Sequence, residues 1–272
     1  MNSKSAELIL LSLSTYILKS AVTATKAPSA AEALRRPQPA ERLRWMHDKL
    51  ADAYGPQRWW PAQTALQVIL GAYLTQNTAW KAVECSLANL RQAGALTLDG
   101  LRSISLNRLQ ALIRPSGFHT RKAPALKAFV AMLDEEFGGS LETLAANSTV
   151  VVRRRLLALP GVGQETADAI LLYALHHPVP VADEYLRRIV RRHRLLTPPP
   201  GPKGYDSLAD LTRLSFASDP LAGQAQLFNE FHALTVAVGK AHCGRTAHCT
   251  GCPLAADLQF VPSRKAKWKS SG

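Results

Sequence analysis

Asp183 is the side chain best placed to do chemistry, because it stands just ahead of a basic stretch carrying Arg187, Arg188, Arg191 and Arg192. A carboxylate in a water-poor site can stabilise positive charge developing on a substrate and can orient or deprotonate a water molecule. It can also cap a helix, since Glu184, Tyr185 and Leu186 follow it, and a cap would pin the carboxylate for its other task. A second group with chemical meaning is aromatic: Trp59 and Trp60 precede Pro61, and a helix later Gln76, Asn77 and Trp80 cluster at a polar turn. A lone tryptophan most often fills a core. Three of them near a polar turn offer the flat apolar walls that an extruded nucleobase needs, the more so if that base is a cation.

The segment Leu159, Pro160, Gly161, Val162, Gly163 and Gln164 links two apolar helical runs. Its glycines allow a sharp turn and close backbone approach, and the turn feeds straight into a helix N-terminus, where unpaired amides can hold a phosphate oxygen. Taken alone, such a turn is more often an ordinary helix connection. Followed by an apolar helix, a Pro-rich stretch from Pro178 and then Asp183, it points to anchoring on a nucleic-acid backbone without regard to sequence. Glu165 reads as a first-turn helix acid.

These groups must be positioned by helices, because the apolar period is helical almost throughout. Leu43, Met46, Leu50 and Tyr54 form one face, and Leu66, Ile69, Leu70 and Leu74 another. Asn77 or Thr78 is expected to cap the next helix. Further helices are expected at 106–113, 121–137, 150–157, 166–175, 184–192, 207–216 and 223–238. Strand signals are scarce, so the fold class is all-α. The 272 residues carry 33 Lys plus Arg against 20 Asp plus Glu, a formal charge of +13, which suits a polyanionic partner. No apolar run is long enough to span a bilayer, so no membrane partner is expected. Residues 1–38 differ in composition. Leu8 to Leu18 is apolar, but Glu7 is out of place in an export leader, and the segment reads as a poorly ordered extension or an early start followed by a linker.

The string WWP, then LTQNTAW, IRPSGFHTRKA, LPGVGQETADAI and PVPVADEY resembles the helix-hairpin-helix, Gly/Pro...Asp (HhH-GPD) superfamily of DNA glycosylases. Within it the chain is most similar to the 3-methyladenine DNA glycosylase III branch of the endonuclease III relatives, over about Gln57 to Lys240. The resemblance implies a two-lobed fold: a helical barrel at 63–177 and a second lobe from 39–62 and 178–259; the residues at 260–272 read as a basic tail. It implies that Trp59, Trp60, Pro61 and Trp80 line a base pocket, that Gln76 enters the gap left by a flipped nucleotide, and that the hairpin from Leu159 to Gln164 grips the DNA backbone. It also implies that Asp183 faces the sugar. Gly117, Phe118, Arg121 and Lys122 resemble a loop that touches DNA, and Lys240 stands near a structurally important lysine of that branch.

Two departures from endonuclease III carry weight. Glu165 occupies the position of the lyase lysine, and a carboxylate has no amine lone pair with which to form an imine. Cys243, Cys249 and Cys252 resemble the iron-sulfur loop of many relatives, but Leu258 stands where a fourth cysteine would fall, and Cys85 lies far off in a helix that looks internal. No cofactor is therefore expected, although a zinc site completed by His242 or His248 stays open. The sequence thus predicts a monomeric, cytoplasmic, nucleoid-associated, monofunctional glycosylase that acts on damaged double-stranded DNA. The damaged base would be an alkylated purine. Alternatives within the enzyme class are a mismatch glycosylase or a glycosylase with abasic-site lyase activity; outside it, a non-catalytic DNA-binding protein.

Overall fold

In the computed structural model, residues 37–60, 62–201 and 203–261 are described; the expectations for residues 1–36, Pro61 and 262–272 lie outside them, as does Pro202. Among the described residues twelve α-helices run in order: α1 Pro39–Tyr54, α2 Ala65–Thr75, α3 Trp80–Gln92, α4 Leu98–Ser103, α5 Leu106–Leu112, α6 His119–Phe137, α7 Leu141–Ala146, α8 Thr149–Leu157, α9 Gln164–Ala169, α10 Glu184–Arg192, α11 Tyr205–Ser215 and α12 Gln224–Ala241. A π-helical turn, Ile170–Ala174, continues α9, and 3-10 turns lie at Arg114–Ser116 and Ala255–Phe260. There is no strand among the described residues, only one antiparallel bridge between Cys243 and Ala247. The all-α reading is correct.

Several helix starts are written locally. The side chains of Thr64, Thr97, Ser105, Ser140 and Ser148 each accept a backbone N–H from the first turn of the helix they precede. The expected cap of α3 is a correction. Ala79 occupies that cap position, while Asn77 sits in a left-handed turn with φ 52° and the Thr78 hydroxyl donates to Ser116 O at 2.6 Å. Cys85 is also corrected, because it lies on the exposed face of α3.

Helix α2 is buried on all sides from Val68 to Leu74, which makes it the central rod of the core. It packs against α3, α6 and the π turn, with Tyr73 edge-on to Phe129 at 6.2 Å. Helix α1 instead packs on α11 and α12, where Phe216 meets Phe228 and Phe231 at 6.1 and 5.3 Å. Helices α10 and α12 approach unusually closely at Gly239. A Cβ there would lie 2.0 Å from Tyr185 Cδ1, so only glycine fits without displacing that ring.

The segment after α12 is fixed to α1 by a buried charge network. Arg42 Nε donates to Asp257 Oδ1 at 2.8 Å and Arg42 Nη2 to His193 O at 2.8 Å, while His193 Nδ1 lies 2.7 Å from Asp257 Oδ2. Asp257 has no exposed surface.

Candidate active site

Asp183 is the N-cap of α10, and its Oδ1 accepts the Leu186 N–H at 2.8 Å. The cap therefore occupies one carboxylate oxygen and leaves Oδ2 free of it. The backbone just before it is also held. Ala182 N–H donates to the Tyr205 hydroxyl at 3.4 Å, and Tyr205 in turn donates to Asp168. Asp168, without exposed surface, forms a bidentate pair with Arg153 at 2.7 and 3.0 Å. Burial and the Asp168 charge push the Tyr205 phenol far above its ordinary pKa, so it remains a donor.

The tryptophans come together as the sequence suggested. Ring centroids lie 5.9 Å apart for Trp59 and Trp60, 6.4 Å for Trp59 and Trp80, and 5.5 Å for Trp60 and Trp80. Trp60 also touches Tyr173 at 5.3 Å and lies against Gly71 of α2, where a Cβ would come within 3.3 Å of its ring. The loop that delivers them is held by Glu230, whose carboxylate accepts the N–H groups of Gln57 at 2.7 Å and Arg58 at 3.1 Å. Lys240 places its ammonium 5.7 Å from the Trp59 centroid, occupying one side of that ring. The three rings pack on one another, so a base sandwiched between two of them requires the rings to part; a base stacked on one free face does not. The indole N–H groups of Trp59 and Trp60 are buried without a hydrogen-bond partner, that of Trp60 on the side facing Gly71.

The hairpin has the expected form. Gly161 takes φ 74°, a conformation glycine adopts without a Cβ penalty, and Val162 plugs the turn into the core. Gly163 precedes α9 without a capping side chain. Gln164, however, donates its amide to Asp206 at 2.8 Å, so its side chain is engaged within the protein and only its backbone N–H remains for a ligand. Gln76 Nε2 donates to Gly161 O at 3.1 Å and Thr166 Oγ1 at 3.0 Å. The residue expected to enter a DNA gap thus rests docked on the hairpin and must exchange two hydrogen bonds to do so.

Across from it, Phe118 is 57% exposed with φ 47°, the largest exposed aromatic surface beside this turn. Gln76, Asn77, Phe118, Arg121, Gly161 and the floor residue Tyr73 line a cavity of about 210 Å³ that neither the tryptophans nor Asp183 borders. Lys122 needs correction as a DNA-touching residue. Its ammonium is buried and donates to Leu74 O, Thr78 Oγ1 and Ser116 O at 2.8 to 2.9 Å, which uses all three hydrogens and ties the Gln76 turn to the Phe118 loop. Burial lowers its pKa.

The family model for HhH-GPD superfamily base excision DNA repair proteins matches residues 70–211, which span the α2–α3 turn, the hairpin and Asp183. The chain belongs to the HhH-GPD superfamily. It is 36% identical to the candidate DNA repair glycosylase MJ1434 of Methanocaldococcus jannaschii over 206 residues, 75% of this chain and 90% of that relative. Among solved structures, the 3-methyladenine DNA glycosylase (MagIII) of H. pylori bound to 1,N6-ethenoadenine aligns with TM-score 0.64 and 28% identity. That alignment covers 75% of this chain and 98% of the other. An endonuclease III–DNA covalent intermediate shares the fold at TM-score 0.63 and 20% identity, over 79% of this chain and 93% of the other. The protein is a DNA glycosylase of this superfamily.

In this HhH-GPD protein Glu165 lies in the first turn of α9, close enough to Asp183 and His232 for their charges to act on it. Glu165 is exposed at its surface, yet protein atoms crowd its carboxyl. That crowding and the Asp183 charge raise its pKa, partly offset by His232 and Arg187. Sequence reasoning missed Tyr173, Glu230 and His232. Each is a polar group set in an apolar helical run, and that mismatch was the available signal.

The cysteine loop does not match a four-thiolate cluster. Arg192 donates from Nη1 to Cys243 Sγ at 2.9 Å and from Nη2 to Gly244 O and Arg245 O at 2.8 Å, placing a cation against the first thiol. Cys249 is exposed, Leu258 stands in the fourth position, and no three His, Cys, Asp or Glu among the described residues are grouped to hold a metal ion. No described helix is long and apolar enough to cross a membrane.

Proposed function

We propose that this glycosylase is monofunctional and hydrolyses the N-glycosidic bond of a flipped, alkylated purine in double-stranded DNA. The observation that carries the reading is Asp183: its carboxylate is buried and fixed through Oδ1, keeps Oδ2 free, and shares its surroundings with Glu165 where a lyase would need an amine. A purine alkylated at N3 or N7 is already a cation and departs without a strong general acid. The demand on the protein is then to stabilise positive charge on the sugar and to direct water, which one carboxylate can meet. The hairpin amides would hold a phosphate, Gln76 would fill the vacated stack, and Trp59, Trp60 and Trp80 would receive the base. The likeness to a 3-methyladenine glycosylase bound to an ethenoadenine supports a purine pocket. With three thiols and a guanidinium in the cysteine loop, the reading requires no cluster.

The test is base release from duplexes that each carry one lesion. N3- and N7-alkylated purines are expected to be excised at least about 100-fold faster than an oxidised pyrimidine or a G·T mismatch, a margin that a cationic leaving group and an aromatic pocket can supply together. Preferential release of the oxidised pyrimidine or the mismatched thymine would overturn the substrate class.

A further inference from the structure

Behind Asp183 lies a second side chain that nothing in the reaction outlined above uses. His232, 8% exposed in the middle of α12, places Nε2 3.7 Å from Asp183 Oδ2 and Nδ1 2.5 Å from the Tyr173 hydroxyl. We infer that Tyr173 and His232 are positioning residues for Asp183: the tyrosine hydroxyl fixes the imidazole so that an Nε2–H faces the free carboxylate oxygen. The inference rests on the proposed reaction and assigns part of its machinery.

The hydrogen assignment follows from the donor inventory. Burial, together with the carboxylates of Asp183 and Glu230, holds the Tyr173 phenol far above its ordinary pKa, so it carries its proton. Its one other acceptor, Asn229 O, is at 3.5 Å, the outer limit of a hydrogen bond. Tyr173 therefore donates to Nδ1, and a neutral imidazole must then bear its hydrogen on Nε2. Protonation of the ring would leave that Nε2–H in place. The opposite tautomer would aim a nitrogen lone pair at a carboxylate.

At 3.7 Å the His232 contact is too long for a hydrogen bond in the free protein, and catalytic contacts of this kind commonly tighten on substrate binding. Since Oδ1 is committed to the Leu186 N–H, a donor to Oδ2 would restrain the very oxygen that meets the sugar or the water. Other charged groups acting here are Glu165 from α9, Glu184 and Arg187 from α10, and Glu230 from α12. Trp60 packs on the Tyr173 ring, so the candidate base pocket and this chain share a wall. The plainer role, two buried polar groups satisfying each other, predicts lost stability without a specific loss of turnover.

Single-turnover excision by the full chain separates the two. His232→Ala should slow base release on the order of 100-fold and Tyr173→Phe about 10-fold, with the Kd for lesion duplex changed less than about 2-fold. His232→Gln, which keeps a donor for Asp183 and an acceptor for Tyr173, should recover to within about 5-fold of wild type. In an Asp183→Asn background, His232→Ala should add less than about 3-fold, because the residues act as one unit. Multiplying losses, or a His232→Ala rate within 2-fold of a wild type that does excise, would overturn the inference. Imidazole 15N NMR reads the arrangement without turnover: His232 should carry Nε2–H in wild type and a tautomer mixture in Tyr173→Phe. A dominant Nδ1–H form in wild type would also overturn it. Should wild type release no base, the functional reading fails, and the NMR result still decides the geometry.

Discussion

Asp183→Asn is expected to reduce base release on the order of 1,000-fold while leaving the fold and duplex binding intact. Asparagine retains an oxygen that can accept the Leu186 N–H, so the cap on α10 survives the change. What disappears is the negative charge that the proposed reaction sets against the sugar, and placed electrostatic groups of this kind are worth about 100- to 1,000-fold in rate. The upper end is expected here because Asp183 is the principal group in the proposed chemistry. Single-turnover rates alongside a binding titration make the comparison. A rate within 10-fold of wild type would move the chemistry elsewhere, first to Glu165, whose raised pKa and nearness to Asp183 make it the next candidate.

Arg42→Met should be the most damaging single change away from the site. It leaves Asp257, with no exposed surface, paired only with His193, and stranding a buried charge costs about 3 to 5 kcal/mol. The melting temperature should fall on the order of 10 °C. The loss should also depend on pH. Burial alone would raise the Asp257 pKa, but hydrogen bonds from His193 and Arg42 outweigh it and hold the carboxyl below its ordinary value. A carboxylate depressed in this way contributes stability above its unfolded pKa of about 3.9, and that contribution is lost as pH falls through the lower folded value. The deficit of Arg42→Met should therefore be full at neutral pH and narrow in acid. Denaturant midpoints at neutral and acid pH check this. An unchanged neutral midpoint, or a deficit that persists in acid, would show that the network does not hold the C-terminal segment to α1.

What could be read from the sequence was whatever is encoded by neighbours in the chain. The hairpin was legible because Gly161 must take a positive φ within a few residues of a helix start, and Asp183 because a cap and an acid coincide there. The tryptophan cluster was legible by residue type, but its closure on itself was not, since centroid spacing depends on Gly71 and Glu230. Lys122 looked like a surface contact because its acceptors, Leu74, Thr78 and Ser116, lie on other segments. His232 and Tyr173 are 59 positions apart, so no local pattern could pair them. Thr78 likewise gives up the expected cap to a partner 38 residues away.

The central claim is hydrolysis directed by Asp183 without an imine, and the fate of the strand tests it most directly. An end-labelled duplex carrying one N7-alkylated guanine is incubated with the protein in two parallel reactions, one without borohydride for free base and for strand breakage before and after alkali, and one with borohydride for the trapped complex. The account predicts stoichiometric free base, an abasic strand that breaks only on later alkali treatment, and no borohydride-trapped adduct. Strand nicking before alkali, accompanied by a covalent protein–DNA adduct, would contradict it.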